Sequence, residues 1–395
     1  MKRRLLPILM TLVLVCALPI WAAFVTSGDV TNPLLTTADA AELTLQGMID
    51  KANAGDTITL NSNTEIAATL QITKNLTLDL NGYVLKMGGT GRVIHITSSA
   101  EVEIKDGESN RAHTGEYAAL PAGGVITGGK AESGGGILLD GGCTLKLTGG
   151  CITDCRATDT GGGGVDLRGS TAILYISGTA RIENCTAGEV WGANAIFNSG
   201  TMYADGGTVD GTVNNQGTIK HSNGVTDVTV FNEAVYNRAK KIIEAGIYKG
   251  TVENRGSITG GTFYGGVTDD GGTIRGGTFA VTFDIGDGTK TEPTLVEYNN
   301  PVPERAAPTK SGHTFTGWYL GEEKYNFDTP VTAPLTLTAK WEKVPSSGGY
   351  YYYPTTDTKA DDAKGSPKTA DPGIALYAAL SLLSLTGLTC TAKKR

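Results

Sequence analysis

A glycine-punctuated repeat fills the middle of this chain and leaves few folds open to it. Glycine is 55 of 395 residues, concentrated between Gly82 and Gly277. Gly134-Gly135-Gly136-Ile137 recurs as Gly162-Gly163-Gly164-Val165, 28 residues later, and Ile152-Thr153-Asp154-Cys155 recurs as Ile182-Glu183-Asn184-Cys185 at a spacing of 30. Further on the beat tightens, with Ile196, Val213 and Val230 each 17 apart. The first two open near-copies, Ile196-Phe197-Asn198-Ser199-Gly200-Thr201-Met202 and Val213-Asn214-Asn215-Gln216-Gly217-Thr218-Ile219. Val252-Glu253-Asn254-Arg255-Gly256-Ser257-Ile258 continues the series, and Val267 to Ile274 repeats it with one extra residue. A strand of three to five residues has one or two inward apolar positions, too few for a core of its own, so neighbours must stack. Glycine turns the corners where φ is positive, and asparagine at repeated corners can stack as a hydrogen-bonded ladder. The pattern predicts an all-β chain built on a right-handed parallel β-helix, a solenoid of roughly ten to twelve coils and about 50–60 Å at ~4.8 Å per coil. Ile137 and Val165 are expected to point inward at equivalent positions, as are Val213 and Val230.

The start of this region adds a cap. From Glu42 to Asn53 the apolar residues Leu43, Leu45, Met48, Ile49 and Ala52 fall at helical spacing. Ala54-Gly55-Asp56-Thr57-Ile58-Thr59-Leu60 turns into a first strand. Leu76-Thr77-Leu78-Asp79-Leu80-Asn81-Gly82 and Val93-Ile94-His95-Ile96 follow as coil strands. Over residues 41–280 this resembles the capping helix, Gly-Asp turn and first coils of pectin-lyase-like proteins. Such a cap covers strand edges that would otherwise template aggregation.

That resemblance brings in lyases and glycoside hydrolases, whose chemistry needs specific residues. A hydrolase needs two carboxylates facing one groove. Within the solenoid the adjacent pair Asp269-Asp270 precedes Gly271-Gly272 and reads as a turn. The Gly-His-Gly segment of polygalacturonases is missing: His95 stands between Ile94 and Ile96, and His221 between Lys220 and Ser222. Asp140 and Arg168, 28 apart, can stack on adjacent coils as a surface ion pair. Asp79, in Asp-Leu-Asn-Gly, reads as a turn former. No catalytic residue, cofactor or metal ligand is assigned, and no enzymatic activity is expected.

Charge and cysteines narrow the partners further. The chain carries a formal charge of −7, with its basic clusters at the two ends, so the part between is more acidic still. An acidic surface repels phosphate backbones, so nucleic acid is not an expected partner. Cys16 and Cys390 lie in apolar terminal runs, leaving Cys143, Cys151, Cys155 and Cys185. They form no repeated Cys-x-x-Cys and have no neighbouring histidine, which argues against zinc. Cys155 and Cys185 occupy equivalent positions on successive repeats. At ~4.8 Å between stacked strands, both a disulfide and a ladder of buried thiols are open.

Composition changes at Val281. The order Val281-Thr282-Phe283, a Pro-rich middle, Gly312-His313-Thr314-Phe315-Thr316-Gly317-Trp318-Tyr319 and a closing Ala339-Lys340-Trp341 strongly resembles the internalin-type B-repeat, or Listeria–Bacteroides repeat. The resemblance implies a small β-rich, ubiquitin-like module over residues 281–343, of a kind carried by bacterial surface proteins. So short a module needs Trp318, Tyr319 and Trp341 in its core. Residues 344–365, with Tyr350 to Tyr353, lack aliphatic residues and read as a disordered stalk.

The two ends carry addresses. Lys2-Arg3-Arg4 before an apolar stretch from Leu5 to about Val25 reads as a signal peptide over residues 1–40. Ala38-Asp39-Ala40 is the best small-x-small site, giving cleavage between Ala40 and Ala41, and a site after Ala22 is the alternative. At the other end, Ser366-Pro367-Lys368-Thr369-Ala370 precedes an apolar run from Ile374 to about Cys390 and a final Lys393-Lys394-Arg395. The run is about long enough to cross a bilayer, with the basic triplet on the cytoplasmic side. Residues 366–395 resemble a Gram-positive sorting signal with Ser366 in place of Leu and Ala370 in place of Gly. The resemblance implies that sortase cleaves after Thr369 and transfers the chain to a peptidoglycan or pilin amine. The expected protein is therefore a wall-anchored surface protein, with a glycan or protein ligand recognised by the solenoid flank. The rival expectation is a wall-attached polysaccharide lyase or glycoside hydrolase.

Overall fold

The structure, a computed structural model, describes residues 24–26, 44–188 and 192–345. Over them the chain is almost entirely β and winds as a parallel β-helix with one short α-helix. One ladder starts at Thr57–Thr59 and reaches Thr273–Ile274 through nine successive parallel pairings, which makes ten rungs. A second starts at Thr64–Ile66 and reaches Thr278–Asp284 through nine pairings. The third wall is a nine-stranded sheet from Leu70–Ile72 to Val267–Asp269. Ten rungs are the short end of the expected range and give about 43 Å of stack. A further three-stranded ladder, Lys130–Ala131, Arg156–Ala157 and Thr186–Ala187, adds a corner to the longest coils.

The interior is made by repetition. In the nine-stranded sheet Ile94, Ile137, Val165, Ile196 and Val213 stack in register, all fully buried. The last position of each strand is aliphatic through Ile72, Ile96, Leu139 and Leu167, then becomes Asn198, Asn215, Asn237 and Asn254. Each of the first three asparagines donates its Nδ2–H to the next one's Oδ1, at 2.8, 2.9 and 2.8 Å, and Asn254 donates to Asp269 Oδ1 at 3.1 Å. The four are essentially inaccessible, so the ladder satisfies amides that would otherwise be costly to bury. A second stack, Phe231, Tyr248, Phe263 and Phe279, has ring centroids 5.0, 4.9 and 5.2 Å apart. The Tyr248 hydroxyl donates to the Ala245 carbonyl at 2.6 Å, and burial pushes its pKa far up.

One expected equivalence fails. Val213 pairs with Val235, not Val230. Val230 is half-buried and lies on another wall, paired with Thr208 and Ile247. The extra chain between Lys220 and Val230 displaces the repeat, and Val230-Phe231-Asn232 copies the letters of Ile196-Phe197-Asn198 in a different frame. Phe231 faces inward where Phe197 is half-exposed.

The helix Leu45–Lys51 caps the first coil. Thr44 Oγ1 accepts from Gly47 N–H at 3.1 Å, and Leu45, Met48 and Ile49 face the core. Phe24–Thr26 pairs antiparallel with Thr57–Thr59 at the same end. At the opposite end there is no linker. The strand Thr278–Asp284 begins as the last rung of the solenoid and continues into a small β module. There it pairs antiparallel with Thr294–Glu297 and parallel with Leu335–Lys343, which pairs in turn with His313–Leu320. Trp318 is 4% exposed and packs edge-on against Phe283 and Phe315 at 4.8 and 5.4 Å. Tyr319 and Trp341 are only half-buried, which corrects the expectation that all three lie in the core. Trp341 turns its Nε1–H to the Ile285 carbonyl at 2.7 Å.

Candidate recognition face

The outer face of the nine-stranded sheet carries aromatic and charged groups in register along the solenoid. Each strand has three residues, and the first and last point inward, so the middle one points out. In register these are Gln71, His95, Leu138, Asp166, Phe197, Asn214, Tyr236, Glu253 and Thr268. Two residues further along each chain the same face is lined by Asp140, Arg168, Arg238, Arg255 and Asp270. The result is two parallel rows with a rung every ~4.8 Å.

The two halves of this face differ. On the wider coils the segment around Ser133 folds over it, leaving Leu138 inaccessible and Asp166 5% exposed. Arg168 Nη2 donates to Ser133 Oγ at 2.8 Å and Arg92 Nη2 to the Ser133 carbonyl at 3.3 Å. Burial raises the Asp166 pKa, an effect that Ser133, Arg168 and Arg92 reduce without cancelling. Burial also lowers the Arg92 pKa, with Arg168 adding to it, and Arg92 Nε is buried with no hydrogen-bond partner among the described residues. His95 Nε2 lies 3.0 Å from Asp140 Oδ2. The expected Asp140–Arg168 ion pair is therefore not made: Asp140 pairs with His95 and Arg168 with Ser133.

On the narrow coils Asn214 is fully buried, while the aromatic residues on either side of it reach the surface. Phe197 and Tyr236 are half-exposed, and the Arg238 guanidinium lies 5.4 Å from the Tyr236 ring centroid. Arg238 Nε donates to Asn214 Oδ1 at 2.9 Å, and Arg255 holds Asp270 at 2.6 and 2.7 Å. Burial lowers the Arg238 pKa, with Arg255 contributing. Planar rings and guanidinium groups held in register suit an extended, repeating ligand.

Asp79 accepts from Asn81 N–H and Gly107 N–H, both at 2.9 Å, and behaves as a turn former. Asp269 and Asp270 accept from Asn254 and Arg255 at the end of the sheet. Cys155 and Cys185 are free, buried and in contact with each other, and that contact, together with burial, raises the Cys155 pKa. The preceding residues, Asp154 and Asn184, both sit at φ +52°, the left-handed corner that this pair of residue types tolerates best. Among the described residues no group of three His, Cys, Asp or Glu side chains could hold a metal ion, and no helix is long and apolar enough to cross a membrane. Ser366, Pro367, Lys368, Thr369, Ala370, the apolar run after them, Tyr350 to Tyr353, Ala40 and Ala41 lie outside the described residues.

The sequence pattern did not reveal this face. Middle positions of the triplets vary freely and look like noise between the conspicuous glycines and asparagines. Only the register brings Phe197, Tyr236 and the arginines into rows.

No solved structure matches the chain. A protein of Evansella cellulosilytica named "Putative Gly-rich membrane protein" is 38% identical over 66 residues, 16% of this chain and 8% of that protein. Another from the same organism, named "Putative membrane protein", is 37% identical over 65 residues, 15% of this chain and 10% of the relative. The chain thus spans a tenth or less of the length of these relatives. Residues 279–340 match the Listeria-Bacteroides repeat domain, and this match begins inside the strand that leaves the solenoid.

Proposed function

We propose that this is an exported cell-envelope protein that displays its β-helix outward and recognises an extended glycan or protein through the narrow-coil half of the nine-stranded sheet. The observation that carries this reading is the pair of in-register rows that bears Phe197 and Tyr236 in one and Arg238 and Arg255 in the other. It offers stacking surfaces and planar cations at a fixed repeat. The Listeria-Bacteroides repeat and the names of the two relatives support an envelope location. Attachment then follows from the C-terminal motif: sortase cleaves after Thr369 and joins the chain to a wall or pilin amine, while residues 374–390 hold it in the membrane beforehand.

The test has two parts. The full-length chain, screened against arrays of glycans and matrix proteins, should bind a ligand that Tyr236→Ala and Phe197→Ala release. In the native host, Thr369→Ala should move the protein from the wall to the membrane or the medium. A wall fraction carrying intact Arg395 would remove the sortase step, and an array without any hit would remove the recognition role.

The rival reading is a polysaccharide lyase or glycoside hydrolase, and it draws on the covered half of the sheet. There a carboxyl with a raised pKa, Asp166, stands near the His95–Asp140 pair. Pectin, alginate, hyaluronan and mucin glycans should yield neither reducing ends nor unsaturated products with the full-length chain. Cleavage abolished by Asp166→Asn would promote the enzyme.

A further inference from the structure

A second, separate cleft lies where the solenoid meets the repeat module. It is an open groove of about 550 Å³, within the ~300–1,000 Å³ of small-ligand clefts. Its floor is the backbone of successive coil corners, Gly246, Gly260–Gly261 and Gly276–Gly277. These corners must be glycine for the coils to close: a Cβ on Gly260 would stand 2.1 Å from the Glu244 carbonyl, and one on Gly276 2.3 Å from that of Thr259. The same requirement leaves a floor with no side chains, open to close approach by a ligand.

The walls are of different kinds. On one side stands the insertion after Lys220, pinned by buried Asp205. That carboxylate accepts from Ser222 N–H at 2.8 Å and Ser222 Oγ–H at 2.6 Å, with His221 Nε2 at 3.6 Å. On the other side stands the module strand, bearing Glu297 and Tyr298. Tyr298 packs edge-on to Phe279, the last ring of the buried aromatic stack, at 6.2 Å, and its remaining surface borders the groove. Glu244 and Arg275 are exposed at the rim and make no ion pair among the described residues. Neither solenoid nor module forms this groove alone. The uninterrupted strand Thr278–Asp284 fixes the two halves.

We infer that this groove binds a short neutral or N-acetylated oligosaccharide. An aromatic ring at one end takes the apolar face of a sugar. Carboxylates and a guanidinium around a side-chain-free floor take its hydroxyls, with bidentate geometry from Arg275. The fixed charges around the groove are two carboxylates and one guanidinium, so polyuronates and sulfated chains are repelled. The inference shares with the proposed function the expectation of a surface ligand, but it concerns a different surface.

The experiment titrates full-length protein with cellotriose, diacetylchitobiose and trigalacturonate, read by calorimetry and by saturation-transfer NMR on the sugar. One of the two uncharged sugars should bind, and trigalacturonate should not. Tyr298→Ala and Arg275→Ala should each weaken binding about tenfold or more. Tyr236→Ala, on the sheet face, should leave it unchanged. Arg275 is exposed, so its variant keeps the fold, which unchanged thermal melting will verify. Absence of binding by both uncharged sugars, tight binding of trigalacturonate, or loss through Tyr236→Ala with the groove variants intact would each overturn the inference. That last result would leave recognition by the sheet face standing.

Discussion

Gln46, on the capping helix, occupies both backbone groups of Gln71 in the outermost strand of the nine-stranded sheet. Its Oε1 accepts from Gln71 N–H at 2.8 Å, and its Nε2 donates to the Gln71 carbonyl at 3.1 Å. One side chain thus stands in for a further strand and closes an edge that would otherwise recruit another chain. Lys74 fixes the helix from its other end, donating to the carbonyls of Asp50 and Ala52 at 2.8 and 2.9 Å.

Gln46→Ala should cost about 1 kcal/mol of stability, the usual value of a lost pair of partly exposed hydrogen bonds. It should also bring concentration-dependent association. Urea unfolding reads the first effect and light scattering the second. Unchanged scattering would mean that the helix body, not this side chain, protects the edge.

Asn215→Leu interrupts the ladder at its middle. Asn198 loses the acceptor for its Nδ2–H and Asn237 Oδ1 loses its donor, both in a dry interior. The expected cost is roughly 2–4 kcal/mol. Asp269→Ala, at the exposed end of the same ladder, should cost about 1 kcal/mol or less. Chemical unfolding of both variants checks the ranking.

Asp166 gives a pH dependence with a definite sign. Burial raises its folded-state pKa above the ordinary 3.8, so the native state holds the proton more tightly than the unfolded chain. Its contribution is fully favourable below about 3.8 and is lost as pH rises through the folded value. Asp166→Asn should therefore be more stable than the parent at neutral pH, and the difference should vanish on acidification. Melting temperatures of the pair between pH 3 and pH 8, a range chosen to bracket that titration, decide it.

The four described cysteines are buried thiols; burial raises the pKa of Cys143 and Cys151, and the contact with Cys185 together with burial raises that of Cys155. Iodoacetamide at mildly alkaline pH should leave all four unmodified in the native protein and label all four once it unfolds. A mass showing Cys155 and Cys185 protected in unfolded, unreduced protein would establish a disulfide instead.

Val235→Asp buries a carboxylate with no partner at a fully inaccessible site and should cost several kcal/mol. Val230→Asp, at a half-buried site, should cost much less. Equal effects in thermal unfolding would undo the register assigned to this coil.

Those two valines also mark how far the sequence could be read. The stacking of Ile137 on Val165, the asparagine ladder, the capping helix and the module were legible because each depends on residues recurring at fixed intervals. Insertions destroy that signal locally, so Val230-Phe231-Asn232 passed for a rung that Val235-Tyr236-Asn237 supplies. The outer face of the nine-stranded sheet was illegible for another reason. Its residues face away from the packing that imposes a period, and the junction groove exists only where three distant segments, the insertion with His221 and Val228, Glu244 to Thr278, and Glu297–Tyr298, meet.

The strand that leaves the solenoid and the strand that leads to the C-terminus lie side by side and parallel, Val281 to Asp284 against Leu335 to Thr338. Tension applied between the solenoid and the chain beyond the module would therefore pull these strands past each other along their length. Their hydrogen bonds are loaded together in shear and cannot open one at a time like a zipper. The junction is a mechanical clamp, and under load it resists by the rate at which the whole set ruptures, not by the strength of any single bond.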